Sequence, residues 1–390
     1  MKTQHKHALL FSIISCAYFG VTEASNGDAT KWMEAYGTPH DMAFSGIVTF
    51  AHLPNAPCLI SQTPFDIGII GFPFDTAVSY RPGARFGPKA IRDGSRRLRA
   101  SNGWSLHWGM NPYDGSISIV DCGDVPITPY DNALALQEME VAYETMINRP
   151  TVPGHGLSFP RGIDGKPHPF VLTLGGDHTI VYPILRSLFK RHGPITVLHF
   201  DSHIDTWSPG KIPTSTSLIS QITHGTMFWK ASTEGLIANN SIHAGIRSKF
   251  AGPWDLDHDT AVGFEMVTAD EIDDVGVEGI VQRIHHRVGN DPLYLSIDID
   301  VIDPAFAPGT GTPEPGGWTT REMKRLLRGL QGLNIVGGDI VEVSPAYDTA
   351  DITGIAAADL VHEILSLFIV GNKESRLKSR IPGERPHIEL

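Results

Sequence analysis

Short apolar runs that end in polar clusters recur along the chain and constrain its fold more than any other feature. They read "FDIGIIGFP", "SISIVDCGD", "PFVLTLGGDHT", "ITVLHFDSHID", "SIHAGIR", "PLYLSIDIDVIDP" and "LNIVGGDIVEVSP". Continuous apolar runs of this length are typical of strands that are buried on both faces of a parallel sheet. The polar clusters that follow them are expected at the carboxyl edge of that sheet, where ligands bind in such folds.

Stretches with helical spacing of apolar residues separate several of these runs. They read "DNALALQEMEVAYETMI", "TIVYPILRSLFKRH", "VEGIVQRIHHRV" and "TTREMKRLLRGL". Thr319 or Thr320, with Glu322 following, predicts one helix start, and the acidic residues 270–274 predict another ahead of Val277. Alternating strands and helices indicate an α/β fold in which helices cross between parallel strands.

The first 24 residues have the pattern of a secretory signal peptide. Lys2 and Lys6 precede the apolar run 8–21, and small residues end at Ala24. The run is shorter than the roughly 20 residues that a membrane helix needs, and no other stretch is expected to reach that length, so we predict no stable membrane span. The prediction is a protein that is secreted or sent to an endomembrane or vacuolar lumen. A cytoplasmic protein, or an uncleaved anchor, is the alternative.

The remaining chain divides by composition into an N-terminal extension, residues 25–64, a core domain, residues 65–372, and a polar tail, residues 373–390. Removal of the leader would leave Cys58 and Cys122, which could pair in an oxidising compartment. The chain carries 31 Lys and Arg against 43 Asp and Glu, a formal net charge of -12, and no basic run. Nucleic acid is therefore not an expected partner.

Three strand ends carry most of the unusual side chains. These are His178, then Asp201, His203 and Asp205, and then Asp298 and Asp300. Alternate residues of a strand point to one face, so the three residues of "DSHID" are expected to converge where their strand ends. Four buried carboxylates without cations would repel one another strongly. Two divalent cations would cancel that charge, and a carboxylate-rich site suits Mn2+ better than structural zinc.

Six motifs in this order between residues 81 and 348 resemble the ureohydrolase family of arginases and agmatinases. They are "RPGARFGPKAIR", "GGDH", "DSHID", "HGTMF", "SIDIDVIDPAFAPGTGTPEPGG" and "DIVEVSPAYD". The resemblance implies a three-layer α/β/α fold with a mainly parallel central sheet. It also implies two Mn2+ per subunit, hydrolysis of a guanidino group to an amine and urea, and a homo-oligomer, either a trimer or a hexamer.

The resemblance also implies which residues hold the metals. One ion is assigned to His178, Asp201, Asp205 and Asp298, and the other to Asp201, His203, Asp298 and Asp300. Asp201 and Asp298 would bridge the two ions. Most relatives have Ala where this chain has Ser202, a position that strand alternation would direct away from the metals.

The catalytic residues implied by the resemblance are Glu342 and His224. Two cations sharing a water lower its pKa from about 15.7 towards neutrality, which provides a hydroxide to attack the guanidinium carbon. Glu342 would hold the planar cation through charge-assisted hydrogen bonds. His224 would carry a proton to the leaving amine, a role that fits an imidazole with a pKa near 6.5.

Other motif residues are predicted to be architectural. Arg81, Gly83 and Arg85 are expected to pin a loop, and Arg247 is expected to form ion pairs within a loop or between subunits. His243 is expected to support the metal ligands from behind, although the site mouth is within its possible reach.

The substrate prediction depends on the segment after the metal-binding acids. Trp207 stands near the place where family arginases have an Asn that holds the α-carboxylate of arginine, and Glu314 in "TGTPEPGG" resembles agmatinases. Agmatine, cleaved to putrescine and urea, is therefore the predicted substrate, with Trp207 as an apolar or cation-π wall. Lys211 could pair with a distal carboxylate, which leaves 4-guanidinobutyrate as the alternative.

Two other classes of function make different predictions about the metal ligands. A non-catalytic binding protein with this fold should have lost at least one metal ligand, and no predicted ligand is missing. A zinc amidohydrolase of related architecture should have a mononuclear ligand set, and not the paired acids of "DSHID" and "DID".

Overall fold

A computed structural model describes residues 31–211 and 216–373 of the chain. Within these residues the strands form one sheet in which each neighbouring pair runs parallel. The strands are β1 (Ile67–Phe72), β2 (Ile119–Asp124), β3 (Phe170–Gly175), β4 (Thr196–Phe200), β5 (Ser241–Ile246), β6 (Phe264–Thr268), β7 (Leu293–Asp298) and β8 (Ile335–Val341). Their order across the sheet is β2-β1-β3-β8-β7-β4-β5-β6.

The described residues also form α-helices, and those that follow residue 46 cover both faces of this sheet. The helices are α1 (Lys31–Tyr36), α2 (Gly87–Gly94), α3 (Asn132–Ile147), α4 (Val181–His192), α5 (Met227–Thr233), α6 (Pro253–Val262), α7 (Glu271–Val288), α8 (Thr320–Gly329) and α9 (Ile352–Asn372). Helix α1 belongs to a separate unit, residues 1–46, and the other elements belong to the unit that begins at residue 47.

Two apolar clusters, one on each side of the sheet, form the core. Strand β1 sends Ile67 and Ile69 into the cluster that includes α2, α7, α8 and α9. It sends Ile70 and Phe72 into the cluster that includes α3, α4, α5 and α6. This alternation follows from the pleat of a strand that is buried on both faces. The predicted three-layer α/β/α fold is confirmed.

Each of the predicted apolar runs forms a strand, but β6 was not predicted. Its sequence "FEMVT" is short and lies at the edge of the sheet, where only Phe264 and Val267 are fully buried. An edge strand needs apolar residues on fewer positions, so its composition is a weaker signal. The predicted start of α8 is confirmed, because Thr319 and Glu322 form a reciprocal capping box.

The expectation that no stretch after the leader reaches membrane-spanning length is wrong for α9. This helix has 21 residues, and its most apolar window has a mean hydropathy of 1.6. Buried positions make up 78% of that window, as in the core helix of a soluble protein. The predicted leader, residues 1–24, and residues 374–390 of the predicted tail lie outside the described residues.

Cys58 and Cys122 form a disulfide, with their Cα atoms 5.3 Å apart. The bond joins the segment before β1 to strand β2. The same segment is anchored at Phe50, whose backbone N–H donates to Asp121 Oδ2 at 2.7 Å and whose side chain is buried. Residues from 50 onward therefore pack on the edge of the sheet, and the predicted boundary at residue 65 stays a prediction.

The strand order decides where the polar clusters meet. Strands β8 and β7 lie between β3 and β4, so the carboxyl ends of β3, β8, β7 and β4 stand side by side at the centre of the sheet. Such central strand ends are where open parallel sheets bind ligands. The candidate site is built on these four ends.

Candidate active site

The structure gathers the first predicted group of metal ligands around His178, which follows β3. Its Nδ1 atom lies 3.0 Å from Asp205 Oδ2, 3.2 Å from Asp201 Oδ2 and 3.4 Å from Asp298 Oδ2. His178 is fully buried, and each of the three acids is at most 5% exposed. A histidine nitrogen that faces three buried carboxylates is a favourable position for a cation.

The second predicted group is centred on His203. Its Nδ1 atom lies 3.0 Å from Asp300 Oδ2 and 3.3 Å from Asp201 Oδ1. Asp201 thus contacts the histidines of both groups, one through each carboxylate oxygen, as expected of a bridging ligand. Two sets of side chains in the described residues have ligand atoms close enough to hold a metal ion: His178, His199, Asp201 and Asp205, and Asp201, His203 and Asp300.

The side chains of "DSHID" converge, but the predicted strand alternation is not the reason. Strand β4 ends at Phe200, and Asp205 has a φ of 53°, in the left-handed region. Ser202 was expected to point away from the metal ligands, and this expectation is wrong. Its hydroxyl donates to Asp300 Oδ1 at 2.7 Å and its backbone N–H contacts the same atom at 3.1 Å. Ser202 thus helps to orient a predicted ligand.

The hydrogen bonds of His178 show that the residues fit a metal ion. Its Nε2 lies 2.8 Å from Ser296 Oγ, and that hydroxyl lies 2.9 Å from Asp339 Oδ1. Because the carboxylate can only accept, the serine donates to it and accepts from His178 Nε2–H. The Nδ1 lone pair then faces the three acids. His178 Nδ1 and Asp201 Oδ2 are both buried, and although charged and polar neighbours lie close, neither atom has a partner in hydrogen-bonding geometry among the described residues.

The pKa values of the predicted ligands reflect crowded negative charge. Burial, with Asp300 and Asp201 nearby, raises the pKa of Asp298 well above its usual range. Burial and the charge of Asp201 raise the pKa of Asp205 to about 6. Burial opposes a charged His178, yet the surrounding carboxylates raise its pKa well above 6.5. Bound cations would relieve this repulsion, as expected for a site with more acids than bases.

A buried chain of side chains lies behind Asp201, and of its members only His243 was predicted to support the site. His199 Nε2 lies 2.8 Å from Asp201 Oδ2, and its Nδ1 lies 2.7 Å from His243 Nδ1. His243 Nε2 then lies 3.0 Å from Asp259 Oδ1, which also accepts from Thr206 at 2.6 Å. His243 is fully buried, so it lies behind the ligands and not at the site mouth. A histidine inside the apolar run before "DSHID" was the available signal for His199.

Glu342, predicted to bind the guanidinium group, follows β8 and is 1% exposed. Its Oε1 accepts from the backbone N–H of His178 at 2.9 Å and lies 3.1 Å from His224 Nδ1. Its Oε2 is buried and has no hydrogen-bond partner among the described residues. Its φ of 60° is uncommon for a side chain with a Cβ, and such backbone strain is often found at functional sites. One carboxylate oxygen is thus left for a ligand.

His224 lies between Glu342 and Ser79. Its Nε2 contacts the backbone nitrogen of Ser79 at 2.9 Å and the Ser79 hydroxyl at 2.8 Å. Burial opposes protonation of this ring, but Glu342, Asp205 and Asp177 raise its pKa to about 9. The three carboxylates thus move the pKa of this imidazole above its ordinary value of 6.5, and the predicted role of His224 as a proton carrier stays a prediction.

A cavity of about 420 Å³ is lined by His224 and by the predicted metal ligands His203, Asp205 and Asp298. Trp207 lines it, as predicted, and its ring centroid lies 6.3 Å from that of His203. Lys249 and Asp255 also line the cavity, and neither was predicted. Lys211 lies at the end of a short 3-10 turn, Pro209–Lys211, and its side chain lies outside the described residues. Its predicted role therefore stays a prediction.

Two arginine-containing motifs hold the loops around the site. Arg85 Nε donates to Asp75 Oδ1 at 2.5 Å, and the same carboxylate accepts from the backbone N–H of Gly83. Among the described residues Arg247 forms no ion pair within its loop, and the predicted pairing between subunits stays a prediction. Arg247 donates to backbone carbonyls, including those of Asp300 at 2.6 Å and Glu314 at 2.7 Å. The guanidinium thus clamps the segment that follows β7.

Comparisons with known proteins agree with this geometry. The chain is 50% identical over 349 residues to Putative agmatinase 1 of Schizosaccharomyces pombe, covering 88% of each chain. It is 37% identical over 323 residues to the guanidinobutyrase of Pseudomonas aeruginosa, covering 83% of this chain and 92% of that one. The solved structure of proclavaminate amidino hydrolase from Streptomyces clavuligerus matches with a TM-score of 0.73 and 36% identity, covering 85% of this chain and all of the other.

The model of the arginase family matches residues 65–366, which is most of the chain. The family is metal-dependent, and the described residues hold a buried cluster of histidines and acids that could bind metal. The family match and the metal cluster together identify an enzyme that hydrolyses guanidino compounds. They do not support the alternative of a non-catalytic binding protein. The chain therefore belongs to the arginase family.

Proposed function

We propose that this enzyme hydrolyses agmatine to putrescine and urea and that it uses two Mn2+ per subunit. The observation that carries the proposal is the free oxygen of Glu342. A buried carboxylate with one unpartnered oxygen, beside an acid-rich metal cluster, fits a planar cation better than a neutral ligand. The guanidinium group of the substrate would donate to this oxygen.

The donor atoms support Mn2+ over structural zinc. The predicted ligands are four carboxylates and two imidazoles, and oxygen-rich sets suit Mn2+ and similar ions. His178, Asp201, Asp205 and Asp298 would hold one ion, and Asp201, His203, Asp298 and Asp300 the other. When bound, the two ions would supply an activated water. Glu342 orients the guanidinium group, and His224 holds the proton that the leaving amine requires.

Two residues at the rim of the cavity, Trp207 and Asp255, favour agmatine as the substrate. A tryptophan face can stabilise the ammonium group of a substrate tail, and the carboxylate of Asp255, which is 2% exposed, adds favourable charge. Lys249 supports 4-guanidinobutyrate as a second candidate, because it is exposed on the same cavity and its cation could pair with a distal carboxylate. The choice between the two substrates thus depends on two opposite charges at the rim: the carboxylate of Asp255 favours agmatine, and the ammonium of Lys249 favours 4-guanidinobutyrate.

Steady-state kinetics of urea release on agmatine, 4-guanidinobutyrate and arginine test the proposal. We expect the highest kcat/KM for agmatine, and Asp255→Asn should reduce it about 3- to 30-fold, as removal of one ion-pairing charge would. Lys249→Ala should leave the kcat/KM for agmatine unchanged or increase it. A preference for 4-guanidinobutyrate that Lys249→Ala abolishes would establish the second candidate. Preference for arginine would contradict both.

The proposed location is the secretory pathway, outside the cytoplasm. The leader pattern of residues 1–24 supports it, and so does the Cys58–Cys122 disulfide, since such bonds persist mainly in oxidising compartments. Mass spectrometry of protein from its native host should find an N-terminus near Ser25 and the disulfide intact. An intact Met1 terminus on cytosolic protein would contradict this proposal.

We also propose a homo-oligomer, a trimer or hexamer, on the basis of the resemblance to the ureohydrolases. Light scattering coupled to size-exclusion chromatography measures the mass directly, against 42.5 kDa for one full-length chain. A single species of one-chain mass at micromolar concentration would contradict this proposal.

A further inference from the structure

Ser79 contacts the proposed proton carrier, His224, but has no role in the proposal above. It lies in the loop after β1, is exposed, and lines the active-site cavity. Both its backbone nitrogen, at 2.9 Å, and its hydroxyl, at 2.8 Å, contact His224 Nε2. The same loop is held near His224 by Ala77, whose carbonyl accepts from the backbone N–H of His224 at 3.4 Å.

The contacts determine where the ring carries its proton. A backbone N–H can only donate, so Nε2 accepts in the bond from the Ser79 backbone. The carboxylate of Glu342 can only accept, so His224 Nδ1 carries a proton and donates to Oε1 at 3.1 Å. The arrangement is therefore the neutral ring protonated at Nδ1, with Nε2 ready to receive a second proton.

The protonated ring needs a different partner at Nε2. Burial opposes a second proton, but the acids around His224 favour it and raise its pKa to about 9. An Nε2–H group would face the N–H of Ser79, and two donors cannot bond to each other. The hydroxyl is the one group of Ser79 here that can change from donor to acceptor. It can therefore stay bonded to Nε2 in both protonation states.

We propose that the Ser79 hydroxyl relays the proton from His224 Nε2 to the departing amine of the substrate. The Nε2–H bond breaks as its proton moves to Ser79 Oγ, and the original hydroxyl proton moves to the amine nitrogen as its bond to carbon breaks. The serine is regenerated, and no atom is oxidised or reduced. This step rests on the proposed function only in requiring that a guanidino compound is hydrolysed.

The test compares Ser79→Ala with Ser79→Thr and Ser208→Ala. Ser79→Ala removes the hydroxyl and keeps the backbone N–H, so kcat should fall about 10- to 100-fold while bound metal stays unchanged. Ser79→Thr keeps a hydroxyl and should retain kcat within about fivefold. Ser208 lines the same cavity, and no bond joins it to His224 among the described residues, so its variant is the matched control.

A change of leaving group separates proton transfer from a purely structural role. Each variant is assayed on its preferred guanidino substrate and on an analogue difluorinated at the second carbon from the leaving nitrogen. The fluorinated amine is less basic and needs less help from a proton donor, so the Ser79→Ala defect should shrink at least about threefold.

Three results would overturn the relay. The first is a wild-type kcat in Ser79→Ala. The second is a fall in the kcat of Ser79→Ala that is equal for both leaving groups. The third is a fall in kcat that accompanies loss of bound metal from Ser79→Ala. A wild-type preference for another guanidino compound would refute only the agmatine assignment, because the serine test then uses that compound.

Discussion

The floor and the rim of the active-site cavity are built in different ways. We call the six predicted metal ligands and Glu342 the floor; they lie at or just after the carboxyl ends of the central strands β3, β4, β7 and β8, and His203, Asp205 and Asp298 among them line the cavity. The rim consists of Trp207, Lys249 and Asp255, which lie on loops and on helix α6. Floor side chains are held by buried contacts from several directions, whereas Lys249 is exposed. Chemistry should therefore depend on the floor, and choice of substrate on the rim.

The largest expected effect is the loss of a floor ligand. Asp201→Ala removes the carboxylate that contacts both histidine groups, and its loss should reduce urea release by roughly 10³-fold or more. Chelation should have the same effect on the wild-type enzyme. Metal analysis should find two Mn2+ in the wild type and fewer in the variant.

The control for this change is Asp93→Ala, which removes a carboxylate from an exposed ion pair with Lys89 in helix α2. It should keep both metal and activity. A fully active chelated enzyme, or a single tightly bound Zn2+, would contradict the two-manganese floor.

Glu342→Gln should have the next largest effect. Glutamine keeps an acceptor for the backbone of His178 but removes the charge that faces the guanidinium group. Two charge-assisted hydrogen bonds would weaken, so kcat/KM should fall about 100-fold. Metal content, measured in parallel, should not change. If Glu342→Gln loses metal together with activity, its role is structural and the comparison of floor and rim needs revision.

His243→Asn tests whether the buried chain behind Asp201 belongs to the floor. His243 holds His199, which in turn contacts Asp201, so its loss should weaken Mn2+ binding about 10- to 100-fold. Titration of metal-free protein with Mn2+ measures this affinity without depending on turnover. The matched control is His285→Asn, which removes a half-buried imidazole that bonds only to the Gly329 carbonyl among the described residues. Equal affinity in both variants would exclude His243 from the site.

The smallest expected effect belongs to the rim. Trp207→Ala removes one wall of the cavity, so KM for agmatine should rise about 3- to 10-fold with little change in kcat. Trp104→Ala, which changes a 67% exposed ring that does not line this cavity, is the control. A fall in kcat of about 100-fold for Trp207→Ala would show that the rim also takes part in the chemistry.

How much could be predicted from the sequence differs between these two regions. The ligands could be found because each follows an apolar run, and parallel strands bring their carboxyl ends together. Ser202 was misplaced because the strand ends at Phe200 and the alternation stops there. Ser79 and Lys249 could not be found, since loops from distant parts of the chain meet around the cavity without a repeating pattern. Strand β6 was missed because an edge position needs fewer apolar residues.

By itself the sequence determined the parallel α/β fold and the residues that form the floor of the site. Apolar periodicity and strand-end chemistry are local properties, so they can be read along the chain. Only the tertiary structure decided the partners of those residues. The contact of Ser79 with His224 joins residues 145 positions apart, and the His199–His243 contact joins residues 44 apart. Such pairs depend on strand order and loop paths, which are set by packing of the whole chain and not by any local segment.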